Sequence, residues 1–196
     1  MLLSDVRSAV IASGQARRSG RGGSECREGK EERVMAVSLR ESVAQVADPK
    51  NLDESVEEVF ELMMGVKCHR ATAEMPANHD ESVTAVVGFG GLLSGACVFK
   101  LASETALQVA ARMTGIEFAE ADDTVKDAIG EVCNMLAGSW KGKVPELAAN
   151  CGLSVPAVIT GRDYKLHVQA PEFQLHHVYA FGDDTFAVTI VCDGLQ

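Results

Sequence analysis

The chain has 196 residues, of which 46% are hydrophobic and 23% charged, so its composition is that of a globular domain with room for a tail. Its net charge is −10 at pH 7. Because phosphate contacts dominate nucleic-acid binding and no basic cluster occurs after residue 40, the charge argues against a nucleic-acid partner.

The first 34 residues differ in composition from the rest of the chain. They carry a net charge of +2, and the stretch "SGQARRSGRGGSECREGKEER" has no apolar periodicity. Such a segment buries too little surface to offset its ordering entropy. We predict that residues 1–48 are an N-terminal extension and linker, disordered or wrongly assigned to the protein. Because "MAVSLRESVAQ" resembles a natural start at Met35, a gene boundary drawn too far upstream would have added residues 1–34. The folded domain is then expected at 49–196.

The first predicted elements are a helix and three strands. In "NLDESVEEVFELMMG" the residues Val56, Val59, Phe60 and Met63 recur at helical spacing, and Gly65 follows as a stop. Strands are predicted at "VKCHRATAE", "SVTAVVGFG" and "LLSGACVFK". The glycines around "GFGG" indicate a turn between the last two strands.

The second half of the chain begins with helices and ends with strands. "SETALQVAARMTG" predicts a helix with Ser103 as N-cap and Gly115 beyond its end. A long helix follows at about 123–141, and "VPELAANCG" predicts a short helix with Pro145 in its first turn. The final strands are expected at "LSVPAVIT", "YKLHVQA", "FQLHHVYAF" and "TFAVTIVCD", with a hairpin turn at 182–184. Blocks of strands and helices favour an α+β fold of two layers, in which helices cover one face of a largely antiparallel sheet.

The six cysteines include no C-x-x-C pair, and several lie inside apolar runs such as "GACVF" and "TIVCD". This pattern favours small buried thiols in a reducing cytoplasm over disulfides or a metal site. His176 and His177 are adjacent in a predicted strand, so they should point to opposite faces. No apolar run reaches the roughly 18 residues of a membrane helix, and the N-terminus lacks the basic region of a signal peptide. We expect a cytoplasmic protein with no membrane partner.

The long helix carries a polar stripe. Asp127, Glu131, Asn134 and Gly138 recur at steps of four, three and four, on the side opposite an apolar stripe. Neither Asn nor Gly favours a helix interior, and Gly costs about 1 kcal/mol relative to Ala. Helix stability alone therefore does not explain these residues, nor Gly130, which we expect on the same exposed side.

Two segments of the chain are similar in sequence. "EVFELMMG" (58–65) aligns without a gap with "EVCNMLAG" (131–138), and both are predicted helices that end at Gly. This match suggests an internal pseudo-repeat. Its fourth position differs, because Glu61 in the first segment corresponds to Asn134 in the second.

The stretch "DAIGEVCNMLAG" resembles the signature of the CheX/CheC/FliY family of chemotaxis phosphatases. That signature is an Asp or Ser, then E-x-x-N on a helix, then a Pro. Here the matching residues are Asp127, Glu131, Asn134 and Pro156, with the Pro 22 positions after the Asn, one short of the family's spacing. The order of the elements extends the resemblance over residues 50–194. Because the first helix has Glu61 in place of the Asn, the chain resembles the one-site, CheX-like members.

The resemblance implies an aspartyl-phosphate phosphatase that acts on a phosphorylated CheY-like response regulator. Asn134 would orient the attacking water, and Glu131 would dock on a Lys of the regulator. Asp127 and Gly138 would contribute to partner binding, and the chain would need no metal of its own because the regulator supplies Mg²⁺. The resemblance to CheX-like members also implies a homodimer, because these proteins typically join their sheets edge to edge.

Two alternatives remain open. The first is a non-catalytic protein of the same fold that binds a regulator or acts as a scaffold in a two-component or motor-switch assembly. The second is an unrelated α+β protein that binds a ligand at "GFGGLLSG" (88–95). No Lys-Ser/Thr and no helix directly follow this loop, so a plain hairpin turn is the favoured interpretation.

Overall fold

A computed structural model describes residues 46–72, 81–162, 164 and 171–195. All of them lie within the unit Ser38–Gln196. The N-terminal extension, except residues 46–48, and the predicted strand "YKLHVQA", except Tyr164, lie outside the described residues. The predicted domain boundary at residue 49 therefore stays a prediction.

The described residues form four helices and seven strands. The helices are α1 (Pro49–Met64), α2 (Ser103–Thr114), α3 (Asp123–Gly142) and α4 (Pro145–Asn150). The strands are β1 (His69–Arg70), β2 (Ser82–Gly91), β3 (Leu93–Ala102), β4 (Cys151–Leu153), β5 (Ala157–Gly161), β6 (Phe173–Phe181) and β7 (Asp184–Leu195).

The seven strands form one sheet, in which every described pairing is antiparallel. The strand order is β1-β6-β7-β3-β2-β4, and β5 also pairs with β2. Consecutive strands β2 and β3 form a hairpin, as do β6 and β7. The segment "GFGGLLSG" lies within the first hairpin, and the chain turns between Gly91 and Leu93, so its interpretation as a hairpin turn is confirmed.

The helices pack on one face of the sheet, as the α+β prediction requires. Phe60 of α1 stacks on Phe186 of β7 with ring centroids 4.4 Å apart. Trp140 of α3 lies against Phe89 of β2 at a centroid distance of 5.2 Å. Burial of these rings supplies a large share of the hydrophobic stabilisation, since each aromatic side chain removes about 150–250 Å² from water.

Polar contacts fix the start of α1 against the sheet. The Tyr179 hydroxyl of β6 donates to Oδ1 of Asp53 at 2.7 Å, and Nδ1 of His177 lies 3.0 Å from the same oxygen. His177 is buried and His176 is exposed, so the prediction that they point to opposite faces is confirmed. Gly65 ends α1 in the left-handed conformation at φ 65°, as predicted.

Three local predictions were wrong. Helix α1 begins at Pro49, two residues before the predicted start, because Asp48 accepts a hydrogen bond from the Lys50 N–H and serves as its N-cap. Ser103 is the first helical residue of α2 and not its N-cap, since Ala102 at the end of β3 holds the extended cap conformation. The predicted strand "VKCHRATAE" is reduced, within the described residues, to the two residues of β1.

The predicted strand "LSVPAVIT" is also interrupted. Leu153 pairs with Phe89 and Ala157 pairs with Val86, so three residues at 154–156 oppose only two residues of β2. This is the arrangement of a β-bulge. Pro156 explains the interruption, because it has no N–H to donate to β2.

Candidate functional site

Helix α3 carries the candidate site, and side chains near its two ends stabilise it. The Asp122 side chain accepts from the Val125 N–H at 2.9 Å, and Lys141 occupies the last turn, where a cation complements the helix dipole. Its apolar stripe is buried as predicted: Ile129, Val132, Cys133, Leu136 and Trp140. The observed range Asp123–Gly142 matches the predicted helix within one residue.

The predicted polar stripe lies on the accessible side of α3. Asp127 and Glu131 are exposed, while Asn134 and Gly138 are half-buried. Within the described residues, the side chains of Asp127, Glu131 and Asn134 make no hydrogen bond or ion pair. The structure thus brings together the four candidate residues on one face, and their polar groups remain available to a partner.

Gly130 does not lie on this exposed side, so that expectation was wrong. It is buried against the chain that connects β4 and β5. A Cβ at Gly130 would come 3.3 Å from Cβ of Pro156 and 3.4 Å from Cγ2 of Val158. Gly130 therefore permits the close approach of Pro156, the residue that completes the sequence signature.

Gly138 is in a different environment. A Cβ there would meet Cδ1 of Leu153 at 3.9 Å, which is ordinary van der Waals contact. No close approach within the described residues requires Gly at this position. Its predicted role in partner binding therefore stays a prediction.

The bulge at 154–156 runs beside α3 from Gly138 to Gly130. Ser154 fixes it to β2, because the Ser154 N–H donates to the Gly88 carbonyl at 2.9 Å. The Gly88 N–H donates to the Ser154 hydroxyl at 2.8 Å, and this hydroxyl donates to the Val155 carbonyl at 2.9 Å. Sequence reasoning missed this bulge, although Pro156 within a predicted strand was a signal for it.

The corresponding residues of α1 are arranged differently. Glu58, which aligns with Glu131, accepts hydrogen bonds from the Lys143 ammonium and from the Ser139 hydroxyl. The Lys143 contact is the main reason that the pKa of Glu58 is lowered. Glu61, which aligns with Asn134, lines a surface cavity of about 300 Å³ together with Glu57, Lys67 and Cys68. The first segment of the pseudo-repeat therefore lacks the amide, and its glutamate at the position of Glu131 is already paired.

Cysteines and metal-ligating residues do not contribute to the site on α3. Five cysteines are buried free thiols, as predicted for them: Cys68, Cys97, Cys133, Cys151 and Cys192. Cys26 lies outside the described residues. In the described part of the chain, no group of three or more His, Cys, Asp or Glu side chains could hold a metal ion. None of the helices described there is long and apolar enough to cross a membrane.

The fold and the exposed E-x-x-N stripe define a class: a two-layer α+β domain with a candidate docking helix on an antiparallel sheet. The family model described as "Chemotaxis phosphatase CheX" matches residues 83–177. The CheY-P phosphatase CheX of Thermotoga maritima is 37% identical over 86 residues, which cover 43% of this chain and 56% of that protein. The match thus spans little more than half the length of this curated relative.

Solved structures of CheC-like and CheX proteins have the same fold. A CheC-like superfamily protein from Shewanella sp. PV-4 superimposes with a TM-score of 0.63 at 17% identity, covering 74% of this chain and 96% of that one. CheX in the CheX–CheY–BeF3–Mg²⁺ complex from Borrelia burgdorferi gives a TM-score of 0.60 at 21% identity, covering 74% and 97%. These matches show the predicted resemblance to the CheX/CheC/FliY family and, within it, to CheX.

Proposed function

We propose that this chain is a phosphatase of aspartyl phosphate on a CheY-like response regulator. The observation that carries the proposal is the unpaired Glu131 and Asn134 one turn apart on the accessible side of α3. The Thermotoga relative, named a CheY-P phosphatase, supports the activity. The Borrelia CheX solved together with CheY supports the kind of partner.

Asn134 is the proposed catalytic residue. Phosphoryl transfer passes through a loose transition state, so a phosphatase gains most from positioning the attacking water. A carboxamide oxygen accepts a hydrogen bond from water while its N–H₂ donates to a phosphoryl oxygen, and the group does not titrate. Positioning of this kind contributes on the order of 10²–10⁴ in rate.

Glu131 is the proposed docking residue. Its carboxylate is exposed and, within the described residues, unpaired, so it can form an ion pair with a Lys of the regulator. Because Glu131 lies one helical turn before Asn134, this ion pair would fix the helix axis relative to the phosphoryl group. Asp127 and Gly138 extend the same contact surface by one turn on each side.

The Mg²⁺ of the reaction belongs to the regulator in this proposal. It neutralises charge on the phosphoryl oxygens, and the chain adds no cofactor of its own. The chain's contribution is the docking carboxylate, the water-orienting amide and a rigid helix that holds both.

We also propose that the chain forms a homodimer through an edge of its sheet. Within the described residues the sheet ends at β1 on one side and at β4 and β5 on the other. Edge strands offer backbone groups that a second copy can pair with. Sedimentation equilibrium tests this part independently of activity, and a mass equal to one chain at high concentration would contradict it.

The proposed activity is tested by phosphate release. A panel of CheY-like regulators, phosphorylated with a small-molecule phosphodonor, is mixed with the purified chain in Mg²⁺. The proposal predicts that at least one regulator loses phosphate faster with the chain than alone, in proportion to chain concentration. Binding without acceleration would instead support the non-catalytic scaffold.

A further inference from the structure

Val155 is the most exposed large hydrophobic residue in the described part of the chain, with 86% of its surface accessible. Three others are also exposed: Leu62, Ile116 and Ile159. A single exposed apolar side chain is ordinary on a protein surface and has no meaning by itself. Two further observations distinguish Val155 from the others.

The first observation is that Val155 is held rigidly. It lies at the centre of the 154–156 bulge, between Ser154, which makes hydrogen bonds to both backbone groups of Gly88, and Pro156, which packs on Gly130. The Val155 carbonyl also accepts from the Ser154 hydroxyl at 2.9 Å. A main chain fixed in this way loses little entropy when a partner covers the side chain that it carries. Bulges commonly re-aim a side chain beside a functional site.

The second observation is the position of the bulge beside Asn134. Gly138 faces Leu153 and Gly130 faces Pro156, so the bulge follows α3 over about 12 Å of helix rise. Asn134 lies midway between the two glycines, on the stripe formed by steps of four residues. Because Gly130 and Gly138 lie one turn before and one turn after Asn134, the segment 153–156 passes beside the part of the helix that carries Asn134.

We infer that Val155 is a second docking contact for the response regulator, and this inference rests on the proposed function. A Lys of the regulator forms an ion pair with Glu131. An apolar side chain of the regulator, next to its phosphorylated Asp, covers Val155. The two contacts, at Glu131 and at Val155, hold the regulator on the surface beside Asn134. Val155 is a docking residue, because it contacts the surface of the regulator and not the phosphoryl group.

The test compares steady-state kinetics of Val155→Asp and Val155→Ala with a regulator that the wild-type chain dephosphorylates. Since Val155 contacts the regulator in both the ground state and the transition state, V155D should raise KM on the order of tenfold with little change in kcat. V155A should raise KM by a smaller factor. Titration of each variant with the beryllofluoride-activated regulator should show the same order of Kd values.

Leu62→Asp is the matched control. Leu62 is 77% exposed and lies on α1, outside the proposed surface. The L62D variant therefore replaces a similarly exposed apolar side chain with the same charged one. L62D should keep the wild-type KM. A KM for V155D within twofold of that for L62D would overturn the inference.

The same experiment separates this inference from the proposed function. If Asn134→Ala is inactive while V155D keeps the wild-type KM, the phosphatase stands and only the Val155 contact falls. If the wild-type chain accelerates phosphate release from no regulator, the proposed function falls and the Val155 contact falls with it.

Discussion

Gly130 on helix α3 lies against Pro156 in the bulge, and a Cβ added to Gly130 would stand 3.3 Å from Cβ of the proline. This contact joins the helix that carries Glu131 and Asn134 to the strand edge beside it. Pro156 thus has a structural role in the chain. It interrupts the strand edge between β4 and β5, and it packs against Gly130 of α3, which has no side chain.

The two glycines of α3 should respond differently to alanine. Gly138→Ala meets only ordinary contact with Leu153, so it should raise the free energy of unfolding by about 0.5–1 kcal/mol through helix propensity. Gly130→Ala forces Pro156 and Val158 to move, so its gain should be cancelled or reversed. Urea denaturation of both variants measures this difference. Equal stabilisation by the two substitutions would contradict the tight Gly130–Pro156 contact.

The chain should lose stability at alkaline pH. Burial raises the pKa of Cys68 to about 12, and hydrogen bonding with Cys133 together with burial raises the pKa of Cys97. A thiol that titrates near pH 8.5 in the unfolded chain releases its proton there first, so the unfolded state gains as pH rises. Each such group should lower the free energy of unfolding by up to about 1.4 kcal/mol per pH unit between its unfolded and folded pKa values.

Urea denaturation at pH 8 and pH 10 measures the alkaline effect. Cys68→Ala is the control, because it removes one titrating thiol and should make the decline between the two pH values smaller. An identical decline in the wild-type chain and C68A would show that Cys68 titrates normally in the folded protein.

The first segment of the pseudo-repeat should not become a second site by one substitution. Glu61→Asn restores the amide, but Glu58 remains bound to Lys143 and Ser139 and cannot reach a regulator. In the Asn134→Ala background, E61N should therefore leave stimulated phosphate release at the level of N134A alone. E61N in the otherwise unchanged chain should keep the wild-type rate. Recovery of activity in the double variant would mean that α1 can dock on its own.

Glu131 should contribute affinity through charge. Glu131→Gln should raise the Kd for the regulator on the order of tenfold and reduce the loss of binding caused by added salt, because one ion pair is removed. Isothermal titration at two ionic strengths measures both effects. Glu117→Gln is the matched control, since Glu117 is exposed and lies before α3. A Kd and salt dependence for E131Q equal to those of E117Q would argue against docking by Glu131.

Much of this architecture could be predicted from periodicity. Helix α3, the β2–β3 and β6–β7 hairpins and the burial of the helix's apolar stripe follow from local patterns that tertiary contacts reinforce. The resemblance to the CheX/CheC/FliY family, predicted from Asp127, Glu131, Asn134 and Pro156, is confirmed by the comparisons. The roles of those residues stay predictions.

The missed features depend on contacts between distant parts of the chain. The burial of Gly130 could not be predicted from its helix alone, because Pro156 and Val158 arrive from another element. The pairing of Glu58 with Lys143 joins residues of α1 to the chain just after α3. The Ser103 cap was displaced by one residue because β3 continues to Ala102 and leaves no loop before the helix.

The most direct test of the account is the rate of phosphate release from the phosphorylated regulator in the presence of Asn134→Ala. If Asn134 orients the attacking water, the stimulated rate should fall on the order of 10²–10⁴ toward the regulator's own rate. The Kd for the beryllofluoride-activated regulator and the unfolding temperature should stay close to those of the wild-type chain. Stimulated release at the wild-type rate by N134A would contradict the proposed mechanism.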